Sequence, residues 1–515
     1  VLPRAAAAAS AAPTFRIVFG AYLNHVPEEA ERGEYFKVDT SDGAVCQITT
    51  GAGRIEEHGI AISSDGARAV LHANFESKRP ITTHMRLWSI DFSATTTIPT
   101  PTKQSPTLIS GNVEGFVELF GFCGADTRDV YVVTSHKSKT YLNCLCSCGG
   151  GKGGCGVTDH DALQESNASP SCPPLISRDK TCWIEESPRE FARLVIGRSS
   201  SKQCRIAPLP HPQMPPDLRP AWNDFVCTRV EWRASDGKEI TGFLFSASAA
   251  RLNESMASTP LLVHAHGGPA ISMPLRRSDA TNATRYPYRH YLAAGFNVFT
   301  PCFRGTLGFG DGFAQANIGG QGISDLDDLV TGVHALKLRP DTPVGIFGGS
   351  YGGYMTLRAL SEHPKMFAAG CAMYGFVHNR FMTFEGGDFT WETEYLGSPD
   401  RWPLSDHADA TRSDIFDKLC DISAPTLLLH GEDDDICTPS QSHVAYHVIS
   451  RKGPDVPCEL VVYPGEGHGF CKPHFRRDRC ERSLAWFLKH MKVDVDGGVA
   501  PQSLLNGSSR STSVT

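Results

Sequence analysis

At 515 residues, 40% hydrophobic and 20% charged, the chain exceeds what one ordinary core accommodates and reads as two globular domains. A net charge of −7 and a pI near 6.3 offer no basic field to phosphates, which argues against a nucleic-acid partner. No apolar run approaches the roughly 18–20 residues of a spanning helix, so no membrane partner is expected.

The 17 cysteines are an odd number, so at least one thiol has no intramolecular partner, and a reducing, cytoplasmic setting is expected. Four Asn-x-Ser/Thr sequons, at Asn167, Asn253, Asn282 and Asn506, would carry meaning only in a secreted chain. Residues 1–13 are a low-complexity, alanine-rich start without an initiator methionine, open to reading as a processed end, part of a targeting peptide or a truncated chain; the short, weakly hydrophobic run makes a signal peptide the less expected choice.

From residue 14 to 207 short apolar runs recur around turn signals. Asp42-Gly43 and Asp65-Gly66 are hairpin-type, and Asp236-Gly237 repeats the signal further on. Ile60 to Leu71 is the clearest strand–turn–strand unit and Leu175 to Ile184 a weaker echo. Such repetition suggests propeller blades of ~40–50 residues, with room for about four or five, and hence a partial β-propeller-like domain. Between residues 141 and 174 the pattern dissolves into a Cys/Gly-rich stretch containing Cys144, Cys146, Cys148 and Cys155. The spacing does not match paired zinc ligands, so a glycine-rich insertion without metal is expected. Residues 208–224, with prolines at 208, 210, 212, 215, 216 and 220, read as a linker.

Over residues 225–493 apolar strands alternate with helical segments. The strands centre on Leu261–His264, Val298–Thr300, Val344–Phe347, Ala369–Met373, Thr426–His430 and Leu460–Tyr463. Helices are expected near Asp327–Leu338, Ser440–Ser450 and Arg479–Met491. This alternation predicts a parallel sheet covered by helices on both faces. Cys371, inside Ala369–Met373, is expected to behave as a small hydrophobe, and residues 494–515 read as a disordered tail.

The chemistry begins at Gly348-Gly349-Ser350-Tyr351-Gly352-Gly353, between a strand and an amphipathic helix. A serine on so sharp a turn needs small neighbours, and the turn lifts Oγ clear of the sheet: a nucleophile elbow of an α/β-hydrolase. Such a serine needs a base, and the base an orienting carboxylate. Glu432-Asp433-Asp434-Asp435 follows one later strand and Gly465-Glu466-Gly467-His468-Gly469-Phe470 follows the next, each where an open sheet gathers ligands. Upstream, Leu261 to His264 runs into Ala265-His266-Gly267-Gly268-Pro269, a loop able to aim Gly267 or Gly268 N–H at an oxyanion, with Tyr351 N–H as second donor.

These motifs, with Phe303-Arg304-Gly305-Thr306-Leu307-Gly308-Phe309-Gly310, resemble the prolyl oligopeptidase family of serine peptidases, from about Val230 to Met491. The His-Gly-Gly-Pro form of the oxyanion loop is similar to the acylaminoacyl-peptidase-like branch. The resemblance implies Ser350 as nucleophile, His468 as base and Asp434 as acid, because Asp434 lies four residues after His430. It also implies a propeller of about seven or eight blades over the catalytic mouth. The region upstream is too short for that many, so either blades are missing at the amino end or the strands form an open arc; truncation is expected, because an open arc leaves unpaired edges. Cys302 stands where the family usually has asparagine.

The expected activity is serine-type hydrolysis of short or N-acylated peptides without cofactor. The alternatives are a carboxylesterase on the same triad and an inert interaction protein. His266, Arg304 and Tyr374 are candidate substrate contacts, with Arg304 first read as an ion-paired anchor and His266 equally as a structural imidazole. Tyr374, Phe376, Phe381, Phe384, Phe389 and Trp391 could line an apolar pocket or simply pack the core. Glu56-Glu57 and Glu185-Glu186 are carboxylate pairs of the kind needed to grip a substrate amine, but read first as surface. Quaternary state is open, a homo-oligomer included.

Overall fold

The structure is a computed structural model that describes residues 225–273, 286–386, 391, 395, 412–453 and 455–493, with the strands between residues 2 and 208 and a few residues beside them. The chain forms two compact units, one of Val1–Pro210, Ser272–Arg276 and Leu307–Ala314, the other of the remainder.

In the first unit the strands form four antiparallel sheets taken in chain order, within residues 2–47, 55–108, 116–160 and 169–208. Successive sheets built from consecutive strands are how propeller blades are laid down. Gly33–Asp39 pairs with Val45–Gln47 across Asp42-Gly43, and Ile55–Ile62 with Arg68–Ala73 across Asp65-Gly66. Leu175–Ser177 pairs with Lys180–Glu186 in the same way.

The two-residue period of a strand explains how these sheets bury both faces. In Arg68–Ala73, Ala69, Leu71 and Ala73 pack with Trp88, Ile90 and Tyr35, the last from the preceding sheet. Val70 points the other way, to Leu87 and to Val117, Val130 and Val132 of the following sheet.

The Cys/Gly-rich insertion begins later than residue 141. Lys139–Leu145 is a regular strand in register with Val130–His136, and Thr158–His160 joins it. A ladder of backbone hydrogen bonds holds this strand although its side chains lack a clean apolar alternation. Cys146, Cys148, Cys155 and the linker after Pro208 lie outside the described residues, as do residues 4–13 and 494–515. Glu56 and Glu57 lie in Ile55–Ile62, and Glu185 and Glu186 in Lys180–Glu186.

The second unit is built on eight strands: β1 (Val226–Arg233), β2 (Glu239–Ser246), β3 (Leu261–Ala265), β4 (Asn297–Cys302), β5 (Val344–Gly349), β6 (Ala369–Met373), β7 (Thr426–Gly431) and β8 (Cys458–Tyr463). Their order across the sheet is β1-β2-β4-β3-β5-β6-β7-β8. The six strands expected from the sequence pair in parallel, and two further strands add an antiparallel edge. β1 pairs antiparallel with β2 through the Asp236-Gly237 turn, and β2 antiparallel with β4, while the other pairs are parallel. A connection this short can only reverse the chain, whereas parallel neighbours need the long helical crossovers found further on.

The helices are α1 (Ala249–Ser255), α2 (Tyr288–Ala293), α3 (Ser324–Ala335), α4 (Tyr351–Glu362), α5 (Asn379–Glu385), α6 (Pro439–Ser450) and α7 (Pro473–Met491). In α3, Leu326, Leu329, Val330 and Val333 are buried at helical spacing, and Asp325 and Asp327 sit in the first turn, where the helix dipole favours acids. The helix ends at Ala335 rather than Leu338, with Lys337 left-handed at φ 51°. α7 starts six residues before its expected start, with Pro473 in its first turn, a position that suits proline's fixed φ. Its early turns are rich in charge, which hid the helical period there. Cys371 is fully buried in β6, where burial raises its thiol pKa, as a small core hydrophobe.

Candidate active site

Ser350 sits between β5 and α4 with φ 59° and ψ −126°, a strained conformation for a residue with a side chain. Such a turn survives only if the strand and helix close on each other. Here a Cβ on either Gly348 or Gly352 would run into the Ala265 carbonyl oxygen of β3, so only glycine fits at these two positions. The Ser350 N–H donates to Met373 O at 3.0 Å, which ties the turn to the end of β6.

His468 lies past β8 and Asp434 past β7, and the structure brings both to Ser350. His468 Nε2 is 2.9 Å from Ser350 Oγ, and Nδ1 is 2.9 and 3.0 Å from the two Asp434 oxygens. Of the acidic run, Asp434 alone is buried, and Asp433 and Asp435 are exposed. Its Oδ1 also accepts the N–H groups of Ile436 and Cys437, each at 3.0 Å. Burial opposes ionisation of Asp434, but hydrogen bonds from His430 and His468, and the charge on those imidazoles, outweigh it and hold the carboxyl at about 2. An ionised carboxylate only accepts. The proton of neutral His468 therefore sits on Nδ1, leaving the Nε2 lone pair for the Ser350 hydroxyl.

The loop carrying His468 is held by Glu466, a buried residue whose carboxylate accepts the N–H groups of Cys471 and Lys472. Sequence reasoning missed this role. A glutamate between two glycines was the available signal.

Gly267 follows β3 and packs against the elbow. A Cβ there would stand 3.0 Å from Gly349 O and 3.5 Å from Ser350 Cβ, so the backbone of this loop approaches Ser350 closely. Gly268 has φ +107°, which also favours glycine. His266 is buried, with Nδ1 2.8 Å from Gly267 O and Nε2 2.9 Å from Thr306 Oγ1, and it stacks on Phe303 at 4.0 Å. Both ring nitrogens are engaged, and burial lowers the imidazole pKa to about 4, so His266 is neutral and braces the loop.

Arg304 is an anchor. Its Nε lies 2.9 and 3.0 Å from the two Asp328 oxygens, its Nη2 2.6 Å from Asp328 Oδ1, and its Nη1 pairs with Asp236. Its backbone N–H donates to Asp328 as well, at 2.8 Å. With the guanidinium so committed and only 8% exposed, the geometry favours the ion-paired reading over substrate contact. Tyr374, left-handed at φ 36°, lies edge-on to His468 at 5.1 Å and to Phe470 at 5.4 Å, so it walls the imidazole.

The remaining aromatic candidates divide. Phe376 is buried and stacks on Tyr354 at 4.5 Å, which is core packing. Trp391 lies 6.2 Å from the Tyr351 ring, and Phe381 is 49% exposed and stacked on His378. Phe389 and the Phe384 side chain lie outside the described residues. Among the described residues no cluster of three metal-ligating side chains occurs, and no helix is long and apolar enough to cross a membrane.

A mostly parallel eight-stranded sheet, a strained serine between strand and helix, and an Asp–His pair at two later strand ends together define an α/β-hydrolase. Residues 285–494 match the model of the prolyl oligopeptidase family. The chain carries this match over the stretch that contains Ser350, Asp434 and His468.

It is similar to dipeptidyl aminopeptidase BIII of Pseudoxanthomonas mexicana, 30% identical over 47% of this chain and 35% of that protein. It is similar as well to acylamino-acid-releasing enzyme 1 of Oryza sativa subsp. japonica, 27% identical over 46% of this chain and 30% of that protein. The chain thus spans about a third of the length of these relatives. Among solved structures, the acylaminoacyl peptidase of Pyrococcus horikoshii shares the fold with a TM-score of 0.70 at 17% identity, over 96% of this chain and 73% of that one.

Proposed function

We propose that the chain is a serine-type peptidase acting on short peptides, with Ser350, His468 and Asp434 as its catalytic triad. The observation that carries the proposal is the single imidazole of His468, within 2.9 Å of both a strained serine hydroxyl and a buried carboxylate. In this reading residues 225–493 are the catalytic domain and residues 14–207 a propeller-like domain ahead of it.

Ser350 Oγ attacks the peptide carbonyl carbon while His468 Nε2 takes the hydroxyl proton. The carbonyl oxygen gains negative charge and is met by N–H groups of the Gly267–Gly268 loop and of Tyr351, at the N-terminus of α4. Removing one such donor typically costs ~3 kcal/mol of transition-state stabilisation. Asp434, held ionised, stabilises the imidazolium. His468 then passes its Nε2 proton to the leaving amine, and the acyl–Ser350 ester forms as the C–N bond breaks. Water, deprotonated by the same nitrogen, attacks the ester and frees Ser350.

Peptides with an acylated amino end are the substrate class put forward first. Support comes from the likeness to acylamino-acid-releasing enzymes and from the His-Gly-Gly-Pro loop. The similarity to a dipeptidyl aminopeptidase makes free dipeptidyl substrates the competing class.

The test compares acetyl-Ala p-nitroanilide, Gly-Phe p-nitroanilide and p-nitrophenyl butyrate, with a fluorophosphonate probe on wild type and Ser350→Ala. Labelling lost in Ser350→Ala, with the acetylated amide cleaved faster than the free dipeptidyl amide, is the expected result. Hydrolysis of the ester alone would replace peptidase by carboxylesterase, and no labelling of wild type would remove the triad assignment.

A further inference from the structure

Tyr351 presents two ends. Its backbone N–H, next to the nucleophile, is the oxyanion donor in the mechanism above, and the inference that follows rests on that reading. Its side chain turns inward and is 1% exposed. The ring is surrounded by Phe303, Tyr354, Phe376 and Trp391, with centroids 5.4–6.4 Å away, and its hydroxyl donates to Asp325. Asp325 is fully buried in the first turn of α3, and its other oxygen accepts the Leu326 N–H at 2.9 Å.

The second donor leads back to the same helix. Gly267 O faces the His266 ring, whose Nε2 meets Thr306 Oγ1 at 2.9 Å. Thr306 belongs to the turn that begins at Arg304, and Arg304 is held through its backbone and guanidinium by Asp328. Asp325 and Asp328 are three residues apart on α3, a spacing that puts them on one face.

We infer that α3 is a common brace for the two oxyanion donors, with Asp325 a positioning residue for Tyr351 as Asp328 is for the Gly267 loop. A phenylalanine at 351 would fill the same space without any carboxylate in the core, and burial makes that carboxylate costly. Burial also raises the Asp325 pKa to about 6, against the opposing hydrogen bond from Tyr351. Oxyanion donors must hold their spacing within about 0.5 Å to favour the transition state over the ground state. A brace of this kind should therefore show in kcat and leave substrate affinity nearly untouched.

The experiment uses the full chain with Asp325→Leu, Asp325→Asn, Tyr351→Phe and the Asp325→Leu/Tyr351→Phe double variant. Activity is measured on acetyl-Ala p-nitroanilide and p-nitrophenyl butyrate, with inhibition by a trifluoromethyl ketone of acetyl-alanine, whose adduct carries the oxyanion. For Asp325→Leu, kcat is expected to fall about tenfold or more with KM within about twofold, and the ketone to bind about tenfold more weakly. Asp325→Asn keeps an acceptor for the phenol and should recover to within about threefold of wild type. Tyr351→Phe should match Asp325→Leu, and the double variant should be no worse than either single one.

If Asp325→Leu does not fold, Tyr351→Phe carries the test alone. Wild-type kcat and ketone affinity in folded Tyr351→Phe would overturn the inference, as would two additive losses in the double variant. A wild-type chain that labels at Ser350 while these variants behave normally defeats the brace alone. One that neither labels nor turns over defeats the underlying reading and the brace with it.

Discussion

His430 Nε2 lies 3.3 Å from Asp434 Oδ2, so the carboxylate that orients His468 is shared with a second imidazole one helical-turn distance earlier in the chain. His430 is the next-to-last residue of β7 and is fully buried, with Nδ1 2.7 Å from Ser442 Oγ and Nε2 2.6 Å from Cys437 O. It therefore links the strand, the acid and the start of α6 in one polar network.

Replacing His430 by leucine should cost stability and raise the Asp434 pKa together. It leaves Ser442 and Cys437 O without that partner, a loss of about 2–3 kcal/mol. It also removes one of the hydrogen bonds that hold Asp434 at about 2. The sign follows from linkage. A carboxyl depressed in the folded state contributes stability above its unfolded pKa near 3.8, and that stability is lost as pH falls through about 2. Urea unfolding of wild type at pH 5 and pH 3 should show this loss beginning, and the acid-sensitive part should be smaller in His430→Leu. Equal pH dependence in the two proteins would remove His430 from the Asp434 network.

Arg304→Ala should destabilise the catalytic unit by about 3–5 kcal/mol, because Asp328, fully buried at its side chain, is left charged and unpaired. Arg304→Lys should recover only part of this, since an ammonium cannot reproduce the forked contact with both carboxylate oxygens. Thermal melting measures the first effect. KM for a short ester, unchanged in the lysine variant, checks that Arg304 holds the loop and does not touch substrate. A KM raised tenfold with unaltered melting would reverse that assignment.

The alternation of strands and helices, the elbow at Ser350 and the strand-end sites of Asp434 and His468 were legible because each is written locally, in apolar runs that break at glycine. The antiparallel edge was legible only as the Asp236-Gly237 turn. The partners of the supporting residues were not legible, although Arg304 itself read as an ion-paired anchor. Arg304 meets Asp328 across 24 positions and Tyr351 meets Asp325 across 26, and nothing near any of these four residues marks its partner. In sequence Asp325, Asp327 and Asp328 look alike, as the acidic start of a solvated helix. Only the fold makes Asp325 and Asp328 buried while Asp327 reaches outward to Ser235.

Gly352→Ala and Gly267→Ala separate folding from catalysis. The methyl added by Gly352→Ala would collide with the Ala265 carbonyl in the tightest part of the strand–helix junction, and neither backbone can retreat without moving the elbow. Gly352→Ala is expected to cost several kcal/mol or to prevent folding, at the upper end of overpacking, about 3 kcal/mol or more. At Gly267 the methyl would stand 3.0 Å from Gly349 O and 3.5 Å from Ser350 Cβ, a crowding that a shift of a few tenths of an ångström relieves. That variant should fold, lose about 1 kcal/mol and lower kcat by about 10- to 100-fold through the displaced donor. Circular dichroism melting alongside turnover distinguishes the two, and full activity in Gly267→Ala would exclude this loop from the oxyanion site.

Asp325 supplies a pH dependence of opposite sign to Asp434. Its folded pKa is raised to about 6 by burial, against 3.8 for an unperturbed aspartate. A raised acid binds its proton more tightly folded than unfolded, so its contribution is fully present below about pH 3.8 and is lost as pH rises through about 6. Two pKa units correspond to about 3 kcal/mol. Asp325→Asn does not titrate, so its stability relative to wild type should improve by up to that amount between pH 4 and pH 7 and stay level above. The groups facing Asp325 are Tyr351, Tyr354 and Arg358 from α4 and Asp328 from its own helix. Of these, Asp328 is the one that could titrate over the same interval, and Asp328→Asn in parallel assigns the slope. Denaturant midpoints of the three proteins at pH 4, 5, 6 and 7 make the measurement. A wild-type-to-Asp325→Asn difference that does not change with pH would mean that Asp325 keeps an ordinary carboxyl in the folded chain.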